Sequence, residues 1–134
     1  MRIAIPHWRG RVSPMFDESR RLLLVDITNG REVSRVDEIL VLGNPLLRVK
    51  QVKKTGAEIL VCGAISLALK HNLQAAGIVV MGFTCGPINE IIEAILKRTL
   101  MDPKFAMPGC IERRDLEFTL TQSNDLMQKH KGGK

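Results

Sequence analysis

Apolar residues fall into two kinds of pattern along the chain, and the change between them predicts a mixed α/β domain. In the first forty residues the apolar positions form short runs that are rich in branched side chains, which is typical of strands. Asn29-Gly30 lies between two of these runs and predicts a tight turn, so the runs on either side should form an antiparallel hairpin. The predicted strands cover residues 2–6, 21–27 and 31–39.

After about residue 45 the period becomes helical, and apolar runs alternate with amphipathic segments. Gly56 ends the first predicted helix, and Ser66 is predicted to cap the second. The intervening apolar runs are too short for helices and indicate buried strands. Such alternation implies parallel strands with right-handed crossovers, so the whole sheet should be mixed. The predicted helices cover residues 46–55, 66–76 and 88–100, and the predicted strands cover residues 58–62 and 78–83.

The composition is that of an ordinary globular protein with a single core. The chain has 134 residues, of which 45% are hydrophobic and 25% charged, which excludes a disordered chain, a collagen or a small disulfide scaffold. No apolar run approaches the ~20 residues of a membrane span, and no signal peptide precedes the first strand, so we expect a cytoplasmic protein. We expect a folded domain over residues 1–110. Residues 111–134 should form a polar extension with an edge strand or short helix at most, and then a disordered end.

The net charge of +6 suggests a nucleic-acid partner, but the aromatic content argues against one. The chain holds four Phe, one Trp and no Tyr, so few side chains are available to stack on bases. A basic nucleic-acid-binding α/β domain without a metal cofactor remains the alternative interpretation. Catalytic motifs are also missing: the sequence has neither a phosphate-binding P-loop nor a Gly-x-Ser-x-Gly elbow, and the first strand carries no acidic residue for a metal-dependent nuclease. We therefore expect a binding protein rather than an enzyme.

Candidate site residues follow the predicted parallel strands, where open α/β sheets bind their ligands. The polar loop 7–14 supplies His7, Arg9 and Arg11. Cys62 and Cys85 each stand with a glycine just before a predicted helix, where free amides and the helix dipole favour an anion. Thiolates, an imidazole and positive charge in one cleft suit an anionic metal–sulfur cluster better than a bare divalent ion.

Each candidate also has a structural interpretation. Cys62 ends a buried strand, where a cysteine more often packs in the core, and Cys110 could be an inert exposed thiol. His7 could simply hydrogen-bond a neighbouring loop, and the two arginines could belong to a solvated loop. None of the cysteines has the C-x-x-C spacing of a zinc or ferredoxin site.

Five stretches together resemble the dinitrogenase iron–molybdenum cofactor biosynthesis family, which includes NifX, NafY and the C-terminal domain of NifB. The stretches are Arg2-Ile3-Ala4-Ile5-Pro6, Gly10-Arg11-Val12-Ser13-Pro14-Met15-Phe16-Asp17, Cys62-Gly63-Ala64-Ile65-Ser66, Cys85-Gly86-Pro87 and Phe105-Ala106-Met107-Pro108-Gly109-Cys110. The resemblance implies a ribonuclease H-like three-layer α/β domain with a five-stranded mixed sheet flanked by helices. It also implies non-catalytic binding of an iron–molybdenum cofactor, its iron–sulfur precursor, or a related cluster such as the molybdenum–copper sulfide of the orange protein.

The resemblance and the loop positions together give a set of candidate site residues. Cluster-assembly or acceptor proteins are the implied partners, and the chain should be a monomer or homodimer. Met15-Phe16-Asp17 stands where nitrogenase-branch members carry His-Phe-Gly, which argues against delivery of the nitrogenase cofactor itself. The cofactor-binding candidates are His7, Arg9, Arg11, Met15, Ser66 and Gly86, and the metal-ligand candidates are Cys62, Cys85 and Cys110.

Overall fold

The computed structural model describes residues 1–41 and 43–110. Within these residues no helix is long and apolar enough to cross a membrane. The predictions for residues 111–134 lie outside the described part of the chain.

The described residues form six strands and three α-helices, with short 3-10 turns at Phe16–Glu18 and Pro103–Phe105. The strands are β1 (Arg2–Trp8), β2 (Arg11–Val12), β3 (Arg21–Thr28), β4 (Arg31–Ile39), β5 (Ile59–Val61) and β6 (Val79–Met81). The helices are α1 (Pro45–Lys54), α2 (Leu67–Ala75) and α3 (Ile88–Lys97).

The sheet is mixed, as the sequence predicts. Its order is β4-β3-β1-β5-β6, in which β1, β5 and β6 are parallel while β3 and β4 run antiparallel to their neighbours. These are the five predicted strands. Because parallel strands end at the same side of a sheet, the loops that follow β1, β5 and β6 meet at one edge, which we name the carboxyl edge.

Strand β2 is a sixth strand that the sequence analysis assigned wrongly to a loop. It pairs with the end of β1, so that His7 faces Val12 and Trp8 faces Arg11. Only Arg9 and Gly10 connect the two strands, and both have left-handed backbone angles, with φ of 52° and 75°. This is the geometry of a two-residue hairpin turn. Gly10 therefore lies in a turn that reverses the chain direction, inside the segment 7–14 that we predicted as a loop.

Two apolar clusters lie on opposite faces of the sheet and make the domain three-layered. Ile3 and Ile5 of β1 pack towards α3, in the same cluster as Ile91. Ala4, between them, packs in a second cluster with residues of α1 and α2 such as Leu69. This alternation is what a strand covered on both faces requires, and it confirms the predicted three-layer arrangement.

The predicted signals at Gly56 and Ser66 agree with the helix ends, whereas the cap at Asn44 was not predicted and α3 ends early. Asn44 caps α1, and Ser66 caps α2 by accepting a hydrogen bond from the amide of Leu69 at 3.4 Å. Helix α3 ends before the predicted Leu100, because Arg98 takes a left-handed conformation with φ of 59°.

Candidate functional site

Backbone hydrogen bonds join the segment after β2 to the loop after β5 at the carboxyl edge. The amide of Ala64 donates to the carbonyl of Pro14 at 2.9 Å, and the amide of Phe16 donates to the carbonyl of Ala64 at 2.8 Å. The loops approach so closely that a Cβ atom on Gly63 would lie 2.5 Å from the carbonyl oxygen of Ser13. Glycine is therefore required at position 63 for this contact.

The loop after β6 is joined to the β1–β2 hairpin in the same way. The amide of Val12 donates to the carbonyl of Gly86 at 3.0 Å, and the amide of Ile88 donates to the carbonyl of Gly10 at 2.9 Å. Gly86 is buried, and its contact with the hairpin is made through its backbone carbonyl. The hairpin is thereby fixed against the segment that carries Cys85.

The segment before Cys110 lies beside the Cys85 loop. The amide of Cys85 donates to the carbonyl of Phe105 at 2.8 Å, and the amide of Met107 donates to the carbonyl of Phe83 at 2.9 Å. Cys110 follows in a turn, its amide donating to the carbonyl of Met107 at 3.0 Å. Two of the three predicted thiols thus belong to adjacent backbone segments.

The three thiols differ in burial. Cys62 is fully buried in the apolar cluster on the α1 and α2 face, which favours its structural interpretation. Cys85 and Cys110 are half-buried. The thiol of Cys85 donates a hydrogen bond to the carbonyl of Ala106 at 3.3 Å. Cys85 and Cys110 are therefore better placed than Cys62 to meet a ligand.

His7 points away from the thiols. Its Nε2 lies 2.8 Å from Oδ1 of Asp37, whose other oxygen accepts a hydrogen bond from Arg21 at 2.7 Å. Burial opposes ionisation of Asp37, but the hydrogen bond from His7 and the charges of His7 and Arg21 lower its pKa overall. Asp37 belongs to β4, on the other side of β1 from β5 and β6. The imidazole and the cysteines therefore do not share one cleft.

Arg9 and Arg11 lie exposed on the hairpin, and neither forms an ion pair within residues 1–41 and 43–110. Arg2 and Arg21, in contrast, each bind an aspartate. The guanidinium of Arg9 stacks on the ring of Trp8 at 4.5 Å, and 56% of Trp8 is exposed. Sequence reasoning missed Trp8 as a site residue, although Trp-Arg-Gly-Arg already joins the sole indole of the chain to two charges.

Groups of the chain itself bind one backbone amide at the amino end of each of the two helices. The amide of Ser66, at the start of α2, donates to Oδ1 of Asp17 at 2.9 Å. The first amide of α3, that of Ile88, bonds to the hairpin. Met15, two residues before Asp17 in the sequence, is exposed and forms a β-bridge with Ala64. The carboxylate of Asp17, which sequence reasoning also missed, already complements the positive end of α2.

The arrangement can hold an anion but does not enclose a bare metal ion. No three His, Cys, Asp or Glu side chains among the described residues are grouped so that they could hold one. The available groups are two exposed guanidiniums, two half-buried thiols and the thioether of Met15. A cluster with net negative charge fits such a donor set, because charge can retain it with few direct ligands.

The comparisons with known proteins agree with this fold. The protein PH0822 is 25% identical, with a TM-score of 0.70 over 73% of this chain and 90% of that chain. The apo form of the orange protein from Desulfovibrio gigas is 24% identical, with a TM-score of 0.58 over 73% of this chain and 88% of that one. A putative dinitrogenase from Methanocaldococcus jannaschii is 16% identical, with a TM-score of 0.60 over 74% of this chain and 90% of that one. These likenesses concern the fold.

No curated protein matches the chain. Residues 1–98 match the family model described as dinitrogenase iron-molybdenum cofactor, which covers well over half of the sequence. The chain therefore belongs to the dinitrogenase iron–molybdenum cofactor family.

Proposed function

We propose that this protein is a non-catalytic carrier of an anionic metal–sulfur cluster. The cargo would be an iron–molybdenum cofactor, its iron–sulfur precursor or a related molybdenum–copper sulfide. The observation that carries the proposal is the pair of arginines without ion-pair partners among the described residues, Arg9 and Arg11, on a hairpin fixed against the Cys85 loop. Family membership supplies the class of cargo.

In this proposal charge attracts the cluster and one or two thiolates orient it. Arg9 and Arg11 supply the attraction, and Cys85 and Cys110 are the candidate ligands because they are half-buried and lie on adjacent segments. Met15 offers a soft thioether from its exposed position. Cys62 supports the site from the core.

The remaining candidates act indirectly. Ser66 caps α2 and Gly86 binds the hairpin, so both hold the loops in place. His7 anchors the end of β1 to Asp37. Because the exposed hairpin leaves the cargo accessible, transfer to an assembly or acceptor protein could take place by direct contact with that protein.

Anaerobic reconstitution tests the proposal. The purified chain is incubated with iron and sulfide, or with tetrathiomolybdate and copper, and then desalted. We expect visible absorption that stays with the protein, and metal analysis close to one cluster per chain. A protein that stays colourless and metal-free with both mixtures would contradict the proposal, and heat-unfolded protein serves as the control for nonspecific adsorption.

The hairpin also gives a specific reason to test nucleic acid as a second candidate. Trp8, flanked by two arginines and 56% exposed, could stack on an unpaired base. Titration with single-stranded and duplex DNA at rising salt separates the two candidates. Tight binding that weakens steeply with salt would favour nucleic acid, whereas the carrier proposal predicts only weak binding.

A further inference from the structure

Strand β4 ends the sheet with an unpaired outer edge in the described part of the chain. The amide of Leu40 donates to the carbonyl of Arg20 at 2.7 Å, which fixes the phase of the ladder between β3 and β4. In an antiparallel strand, successive residues direct their amide and carbonyl groups to opposite sides. Because Leu40 bonds to β3, the even-numbered residues of β4 from Ser34 onwards face β3, and the odd-numbered residues there face away from the sheet. The outward positions are Arg35, Asp37 and Ile39.

The side chains along this edge leave much apolar surface uncovered. Val33, Val36 and Ile39 are 60%, 46% and 70% exposed. Long edge strands with exposed apolar side chains tend to pair with another strand, and proteins usually block them with proline or inward charges. Residues 31–39 contain no proline, and they carry charges of both signs.

We propose that a second copy of this chain pairs with β4, antiparallel, about a two-fold axis at Val36. In such a pair the residue numbers of two facing residues always have the same sum, which is twice the number of the residue on the axis. With the axis at Val36, Arg35 faces Asp37 of the partner subunit, and Ser34 faces Glu38 of the partner subunit. On the axis Val36 meets Val36 of the partner subunit, so opposite charges and apolar side chains coincide.

Neighbouring registers bring like charges together or leave charge against an apolar residue. An axis at Arg35 sets that guanidinium against Arg35 of the partner subunit, and an axis at Asp37 does the same for two carboxylates. An axis at Ser34 sets Val33 against Arg35 of the partner subunit. All four axes make the outward-pointing positions hydrogen-bonded pairs, as the phase of the ladder requires. Only the Val36 axis among them pairs Arg35 with a carboxylate.

The interface is short, because the register between β3 and β4 shifts at Asp26 and Ile27 and leaves Val33 as an extra residue. Such a bulge disrupts the regular ladder, so regular pairing should run from Ser34 to Glu38. We therefore expect a dimer that dissociates on dilution rather than an obligate one.

Cysteine substitutions test the register directly. In Val36→Cys the two thiols face each other across a non-hydrogen-bonded pair, whose Cα separation of about 4.5 Å allows a disulfide. In the matched control Ser34→Cys the new thiols are offset by four residues, roughly 13 Å, and cannot join. Mild oxidation should give a covalent dimer with Val36→Cys, well above the background of the native cysteines, and none above it with Ser34→Cys. Equal cross-linking of both variants, or stronger cross-linking of Ser34→Cys, would overturn the proposed register.

Molar mass in solution tests the dimer itself. At high micromolar concentration the wild-type chain should have twice its mass of 15.0 kDa. Val36→Lys places two ammonium groups together on the axis and should restore the single-chain mass, with thermal unfolding confirming that it remains folded. Val41→Lys, the same change at an exposed valine beyond β4, should leave the dimer intact. A wild-type chain that stays monomeric throughout would overturn the proposal.

Discussion

Burial separates the roles of the cysteines. Cys62 is 0% exposed and packs among apolar side chains, whereas Cys85 is half-buried at the carboxyl edge. We expect Cys62→Ser to lower the free energy of unfolding by about 1–3 kcal/mol, because it brings a hydroxyl into an apolar cluster. Cys85→Ser should keep wild-type stability and lose cluster absorbance. Denaturant unfolding and reconstitution measure the two effects, and equal behaviour of both variants would refute the division.

Asp26 should make stability depend on pH in acid. Its carboxylate accepts hydrogen bonds from Arg2 at 2.9 and 3.0 Å and from Ser34 at 2.7 Å. These contacts lower the pKa of Asp26 from 3.8 to about 2, the bond to Arg2 being the largest cause. A carboxylate with a lowered folded-state pKa stabilises the fold fully above its unfolded pKa, and loses this effect as the pH falls through the folded one.

We therefore expect the melting temperature of the wild-type chain to fall between about pH 4 and pH 2, partly through Asp26. Asp26→Asn should be less stable at neutral pH and lose less over this acid range. Thermal unfolding followed by circular dichroism at each pH measures the difference. Parallel curves for the two proteins would show that Asp26 is not responsible.

Helix α1 is tied to the site through a buried guanidinium. Arg48 is 2% exposed, and its Nη1 donates to the carbonyls of Phe16 and Ser19 at 3.2 and 2.7 Å. Its Nε and Nη2 have no hydrogen-bond partner among the residues that the structure describes. Burial lowers the pKa of Arg48, and the charge of Asp17 opposes this effect. The helix thereby holds the turn that places Asp17 at the start of α2.

Substitution of Arg48 should separate packing from hydrogen bonding. Arg48→Ala should lower the free energy of unfolding by about 2–4 kcal/mol, because it removes both the buried stem and the two hydrogen bonds. Arg48→Met should cost less, since it keeps much of the volume and introduces no unpaired donor. Urea unfolding compares the two variants. If Arg48→Met were as unstable as Arg48→Ala, the hydrogen bonds would outweigh packing at this position.

The sequence predicts elements well where one local signal decides them. Ser66 starts α2 because its side chain can accept from the helix, and Asn29-Gly30 joins β3 and β4 with left-handed angles at both residues. Strand β2 was missed because two residues are too short to show a period, and Arg9 gives no warning of its left-handed angle. Local chemistry cannot reveal that Asp17 reaches Ser66, since 49 residues separate them.

For the whole molecule, strand direction predicts the carboxyl edge but not which side chains meet there. Parallel β1, β5 and β6 bring their following loops together, as expected. Whether a side chain at the end of β1 turns to the thiols or away depends on strand order and register. The order places β4 on the other side of β1, and His7 bonds to Asp37 there. The predicted ligands therefore divide into His7, which is bonded to β4, and the thiols of Cys85 and Cys110, which lie on adjacent segments.

The charge of the hairpin should govern cluster affinity. Arg9→Ala/Arg11→Ala removes two exposed charges, and we expect cluster affinity to fall roughly tenfold or more, with a weaker dependence on salt. Arg31→Ala/Lys54→Ala is the matched control. It removes the same amount of charge, but at the end of the sheet away from the carboxyl edge, near Arg2. Equilibrium binding at two salt concentrations measures both. Equal losses in the two double variants would indicate a general effect of net charge.

The most direct test of a cluster held at this hairpin follows the fluorescence of Trp8, the sole tryptophan. A metal–sulfur cluster beside the indole absorbs its emission energy, so titration with tetrathiomolybdate and copper should quench fluorescence saturably, near one cluster per chain. The curve should shift to higher concentration in Arg9→Ala/Arg11→Ala and not in Arg31→Ala/Lys54→Ala. Quenching that never saturates, and that matches the quenching of free N-acetyltryptophanamide, would contradict the account.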